Sequence, residues 1–269
     1  MAKGKRLKIV QAGRLVYGVI YSQAHPRDTE HVRAAKSQCS SEARKRMNFK
    51  KAWQKLELLL AANFNHRDLV ITLTYDDANL PTDRMAAVRL VRRFFSDLRK
   101  YRRARDVGLK YVYITEEKHG NARLHHHIVI NGTGFDIDVI RSLWTHGTSI
   151  EVERVDTWGY EGLAKYLTKE ARDAGAPPGA RAWTPSLGLS KPEVTASAWV
   201  EDNMTLTAPP GAVILDSDSK QNEFGSFSYI KYMLPNQSSS ERRSRPPRTK
   251  KKKDLYFSDL KPCISSERA

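Results

Sequence analysis

Residues 124–131 (LHHHIVIN) narrow the fold of this chain more than any other stretch. Alternate side chains of a strand share a face. His125 and His127 therefore point one way, while His126 points the other way with Leu124, Ile128 and Ile130, into a packing face. The preceding run of β-formers, residues 109–117 (LKYVYITEE), predicts a partner strand. The link between them, KHGNAR (118–123), contains Gly and Asn and predicts an antiparallel hairpin. A further strand is predicted over 69–75 (LVITLTY), ending in the turn DDANLP (76–81). Residues 84–105 read as a helix with Val88, Val91, Phe95 and Leu98 at helical spacing, widened by Leu90 and Phe94 and capped by Thr82 or Asp83. A helix over 136–145 with Ile137, Ile140 and Trp144 inward, a strand over 148–155 and a helix over 159–173 complete the order βαββαβα. That order predicts an α+β fold, a central antiparallel sheet packed with helices.

Two imidazoles on one face of a strand can chelate a divalent cation through neutral ring nitrogens. A bare His-x-His is weak by itself and is more often structural. A third ligand has to come from the neighbouring strand, where pleating lets only one of Glu116 and Glu117 face the histidines. One carboxylate beside two histidines suits Mg²⁺ or Mn²⁺. Tyr166 and Lys169 are three apart on the last predicted helix and project from nearly one face. Tyrosine is a weak nucleophile that needs a cation to stabilise the developing charge.

Charge supplies an independent constraint. Forty-six Lys and Arg against thirty Asp and Glu leave a net +16, which draws polyanions by counterion release. The excess is clustered: seven basic residues and one acid in 33–51, nine and one in 84–105, eight and one in 238–253. Arg99, Lys100, Arg102 and Arg103 bunch at one end of the second cluster. The third, SSSERRSRPPRTKKKK, has no hydrophobic side chain and is predicted to be a disordered arm. Two distant cysteines, Cys39 and Cys263, exclude a disulfide scaffold or zinc finger and fit a reducing cytoplasm. The apolar run near the N-terminus is broken by Gly13, Arg14 and Gly18, so neither a signal peptide nor a membrane partner is expected.

These segments together resemble the HUH endonucleases, in particular the replication initiator (Rep) proteins of single-stranded DNA phages and rolling-circle plasmids. ITLTYDD (71–77) is similar to the family's first motif, RLHHHIVING (123–132) to its metal-binding motif and GLAKYLTKEAR (162–172) to its Tyr-x-x-Lys helix. LWTHGTSIEVERV (143–155) and RAWTPSLGLSKPE (181–193) also resemble family stretches, so the likeness spans about 66–195. Two positions depart from the pattern. His126 stands where a hydrophobic residue is usual, and Gly162 and Glu170 occupy the positions four away from Tyr166 where two-tyrosine enzymes carry a second tyrosine.

The resemblance implies metal ligands His125, His127 and Glu116, the nucleophile Tyr166 and an assisting Lys169. The implied activity is nicking of single-stranded origin DNA by one tyrosine, giving a 5′-phosphotyrosine and a free 3′-OH. The partners implied are origin DNA and host replication proteins such as a helicase. Expected backbone contacts are Arg99, Lys100, Arg102, Arg103, Arg123 and Lys165, with Arg248, Lys250, Lys251, Lys252 and Lys253 in the arm. The expected division is a partly helical basic region (1–65), the HUH domain (66–200), a small β-rich extension (201–235) and the tail (236–269). A transposase or relaxase of the same superfamily, a water-using phosphoesterase and a non-catalytic nucleic-acid binder remain alternatives. Phe at position 126 is expected to be tolerated.

The arm carries the first testable expectation. Each phosphate neutralised adds roughly −0.7 to the slope of log K against log salt on single strands. If about four of its eight cations engage, a chain ending at Gln237 loses roughly three units of slope. Affinities measured across a salt series check this, and identical slopes remove the arm from DNA binding.

Overall fold

The computed structural model describes residues 4–22, 42–117, 123–170, 182–222 and 225–235. The basic arm, both cysteines, most of the 118–123 loop and the end of the 159–173 helix lie outside those residues. The chain opens with a hairpin, β1 (Lys5–Ala12) and β2 (Leu15–Ser22), followed by helix α1 (Glu42–Asn63). Gly13 makes the turn at φ 55°, where a Cβ would lie 2.5 Å from the Ala61 carbonyl oxygen. One of the residues that break the apolar run is thus the turn of a hairpin, which the sequence reading did not anticipate.

The middle of the chain follows the expected order: β3 (Leu69–Leu73), α2 (Arg84–Arg103), β4 (Tyr111–Glu116), β5 (His125–Ile130), α3 (Asp136–Leu143), β6 (Ile150–Arg154) and α4 (Tyr160–Leu167). With the short β7 (Thr184–Pro185) the strands form an antiparallel sheet in the order β6-β3-β5-β4-β7. Asp83 caps α2 by accepting from the Ala86 N–H at 2.8 Å. One face of the sheet, with Leu69, Ile71, Leu73, Ile128 and Ile130, packs on Val91, Phe94, Phe95 and Leu98 of α2 and Ile140 of α3. Ile140 and Trp144 turn inward as expected, but Ile137 is exposed. The other face, with Val112, Ile114 and Val129, packs on α1 and α4.

Strands β8 (Glu193–Val200), β9 (Val213–Asn222) and β10 (Gly225–Met233) join the first hairpin in a second antiparallel sheet, β8-β1-β2-β10-β9. These five strands draw on all three segments expected to be separate below residue 236. Ala12, Leu15 and Met233 of this sheet share a core with α1 and α4, so the two helices lie between the sheets. No helix among the described residues is long and apolar enough to cross a membrane.

One of the basic residues expected to face DNA does not. Arg102 is 2 % exposed, and its guanidinium reaches Asp136 Oδ1 (2.8 Å), Asn131 Oδ1 (2.7 Å) and the Asn131 carbonyl (2.8 Å). The α2 face that carries Leu98 also carries Arg102 four residues on, so the same periodicity that buries the leucine buries the arginine. Arg99, Lys100 and Arg103 are exposed, Lys100 paired with Asp97 at 3.0 Å.

Candidate metal centre

The β4–β5 register sets Glu116 opposite His125 and Ile114 opposite His127, so the acid and both histidines share the face covered by α4. Glu116 Oε2 lies 3.2 Å from His127 Nε2 and 3.6 Å from His125 Nε2, and the two Nε2 atoms are 3.0 Å apart. Glu117, the alternative acid, is turned away; its backbone N–H donates to Glu170 Oε1 at 2.9 Å.

The other ring nitrogens fix what these atoms can do. His125 Nδ1 is 2.7 Å from the Arg123 carbonyl oxygen, which can only accept, so Nδ1 carries the hydrogen and the neutral ring presents a lone pair at Nε2. His127 Nδ1 is held by Thr72 Oγ1 at 3.2 Å, across the β3–β5 pair. Two lone pairs and a carboxylate converge within a few ångströms, and Glu116 Oε1 is buried without a hydrogen-bond partner. Such a set is repulsive unless a cation or proton sits in it, and a buried Glu-His-His group of this geometry can hold a metal ion. Burial alone would raise the Glu116 pKa, but hydrogen bonds from both histidines and the Lys169 charge hold it well below the carboxylate range. For His125 burial pushes down, yet the Glu116 hydrogen bond and charge prevail and the pKa rises. For His127, deeper in the site, burial prevails and the pKa falls.

His126 is fully buried on the opposite face, as its neighbours predicted, between Tyr75 OH (2.7 Å) and Thr115 Oγ1 (3.0 Å) and edge-on to Trp144. Burial pushes its pKa down to about 3, so the ring stays neutral. This overturns the expectation that Phe is tolerated there, since Phe leaves two buried hydroxyls without their partner. His126→Phe is expected to lower stability by about 2–4 kcal/mol, at roughly 1–3 kcal/mol for each stranded group. Urea unfolding measures the loss; an unchanged midpoint contradicts it.

Tyr166 is 47 % exposed at the edge of the cluster, its ring 5.0 Å from the His127 ring. Lys169 Nζ sits 4.0 Å over the Tyr166 ring and 3.2 Å from Glu116 Oε2. Helix α4 pauses at Thr168, whose hydroxyl donates to the Ala164 carbonyl at 2.8 Å, before Lys169. Glu170 anchors this segment by accepting from Arg84 at 2.9 Å as well as from the Glu117 N–H. Thr72 and Glu170 were not singled out in the sequence; only the strand register and the fold around Thr168 bring them to the site. Tyr160 is buried and donates to the Phe64 carbonyl at 2.5 Å. Arg123 pairs with Asp77 at 2.5 Å, and Lys165 is half-exposed with its ammonium 4.7 Å over Trp53.

Residues 68–171 match the family model for the replication-associated protein ORF2, a span that contains both histidines, Glu116, Tyr166 and Lys169. No match was found among curated proteins or solved structures.

Proposed function

We propose that this protein is a replication-associated, single-tyrosine HUH endonuclease that nicks origin single strands to start rolling-circle replication. The observation that carries the reading is the convergence of Glu116 Oε2 and two histidine Nε2 atoms beside the exposed ring of Tyr166. Mg²⁺ or Mn²⁺ held by Glu116, His125 and His127 supplies Lewis-acid polarisation of the scissile phosphate. Thr72 and the Arg123 carbonyl orient the two imidazoles that hold it. The Tyr166 oxygen attacks phosphorus, the P–O3′ bond breaks, the phenolic proton passes to solvent and the leaving 3′ oxygen takes one up. The Lys169 ammonium, between the Tyr166 ring and Glu116, offsets charge on the phenolate and on the phosphate oxygens. The products are a 5′-phosphotyrosine and a 3′-OH able to prime synthesis.

Several exposed cations, Arg99, Lys100 and Arg103, are available for the DNA backbone. The test is incubation with end-labelled single-stranded oligonucleotide and Mn²⁺, followed by a denaturing gel. A covalent protein–DNA band that maps to Tyr166 supports the reading. Cleavage without a band points to water as nucleophile, and binding without cleavage to a non-catalytic role; either outcome sinks it.

A further inference from the structure

The second sheet carries a row of side chains for which the metal centre has no use. In the pairing of β8, β1, β2, β10 and β9, Trp199 lies opposite Arg6, Arg6 opposite Tyr21, Tyr21 opposite Phe227 and Phe227 opposite Lys220. Directly paired residues share a face, so these five form one line across all five strands. The opposite face is covered: Val16, Ile230 and Tyr232 pack there under Leu206 and Ala208. The three rings of the row stay open, with Trp199 58 %, Phe227 43 % and Tyr21 37 % exposed. The Arg6 guanidinium lies 5.4 Å over the Trp199 ring, and its Nη2 donates to Ser197 Oγ at 3.0 Å. Lys220 pairs with Asp218 at 3.1 Å, and Lys8, two residues along the same face from Arg6, is exposed.

Helix α1 crosses this same face nearer the Gly13 turn, where the Tyr17 hydroxyl bonds Glu57. Its first half presents exposed Arg46, Lys50 and Lys51. On β10, Lys231 lies four residues from Phe227 on this face and grips Glu161 in the first turn of α4. At about 3.3 Å per strand residue the row is therefore some 13 Å along the sheet from the helix that carries Tyr166.

We propose that this row is a stacking platform for single-stranded DNA entering or leaving the Tyr166 site. Aromatic rings a strand spacing apart, interleaved with a guanidinium and bordered by lysines, offer unpaired bases π-faces and their phosphates cations. A protein partner would favour a continuous apolar patch, whereas here a cation interrupts the line of rings. Stacking is sequence-tolerant, so the platform holds the strand and leaves the choice of nick site to residues near Tyr166. The ligand rests on the single-stranded DNA reading above, while the test below is independent of nicking.

The full chain is titrated with fluorescein-labelled oligothymidylate of about sixteen nucleotides, the upper end of single-strand site sizes. Salt of about 0.3 M screens the arm. Trp199→Ala and Phe227→Ala are each expected to weaken binding roughly tenfold, and Trp199→Phe to restore most of it. An abasic oligomer of equal length and charge is expected to bind the unaltered chain and the Ala variants alike. Wild-type affinity in both Ala variants overturns the platform, as does equal loss on the abasic oligomer, which would report lost charge or fold. A dimer of the unaltered chain, without DNA, that Trp199→Ala dissociates also overturns it, because a second copy then covers the row. Adduct formation by the unaltered chain is scored separately. Weakened binding with no adduct keeps the platform and removes the nicking reading; an adduct with unweakened binding does the reverse.

Discussion

Tyr166→Phe is expected to abolish the covalent protein–DNA band, lowering adduct yield by on the order of ten-thousandfold or more, as loss of a nucleophile does elsewhere. The substitution is narrow. It keeps the ring beside His127 and beneath Lys169 and removes only the oxygen that attacks. The Glu116, His125 and His127 cluster does not use that oxygen, so divalent-ion affinity measured by calorimetry should match the unaltered chain. Tyr160→Phe is the control. Its hydroxyl is buried and spent on the Phe64 carbonyl, so it cannot reach a phosphate, and its removal should cost about 1 kcal/mol of stability and leave the adduct. An adduct surviving in Tyr166→Phe would place the nucleophile elsewhere.

The site was largely legible in the sequence because its geometry is local. A period of two puts His125 and His127 on one face, and a hairpin of known loop length fixes which acid of the partner strand stands opposite. His126 was legible as a packing residue for the same reason, but not its two hydroxyl partners, which come from Tyr75 fifty-one residues upstream and from Thr115. Tertiary placement was the harder matter. Arg102 is one of several arginines at the end of α2, and only Asp136, thirty-four residues later, marks it as buried. The second sheet was missed for a related reason. β1 pairs with β8 nearly two hundred residues on, so no window of sequence contains both. Gly18, read as breaking a run, is an interior strand residue where a Cβ would lie 3.1 Å from Ile230 and 3.2 Å from Leu206. The strand there has no room for a side chain, and neighbours that far away leave no local signal.

Lys231 gives the second large effect. In the sequence it is a lysine among β-formers, SYIKYM, indistinguishable from a solvated edge residue. In the fold its side chain is 4 % exposed, its ammonium 3.2 Å from Glu57 Oε1 and bonded also to Glu161. Burial would lower its pKa, but the charges and hydrogen bonds of Glu57 and Glu161 raise it, so the lysine is charged. Glu57 belongs to α1, Glu161 to α4 and Lys231 to β10, so this cation ties the second sheet to the helix bearing Tyr166. Lys231→Met supplies a similar volume without the charge and leaves the Glu57 carboxylate buried with the Tyr17 hydroxyl as its remaining bonded partner. Removing one member of a buried pair costs about 3–5 kcal/mol. At roughly 2–4 °C per kcal/mol for a fold of this size, Tm should drop by about 6–20 °C. Adding Glu57→Gln removes the stranded charge and should recover a sizeable part of that loss, because a neutral amide costs less to bury than an unpaired carboxylate. Scanning calorimetry of the single and double variants separates the two contributions. If Lys231→Met melts within about 2 °C of the unaltered chain, a change of roughly 1 kcal/mol or less, the ammonium is not what holds α4 to the second sheet.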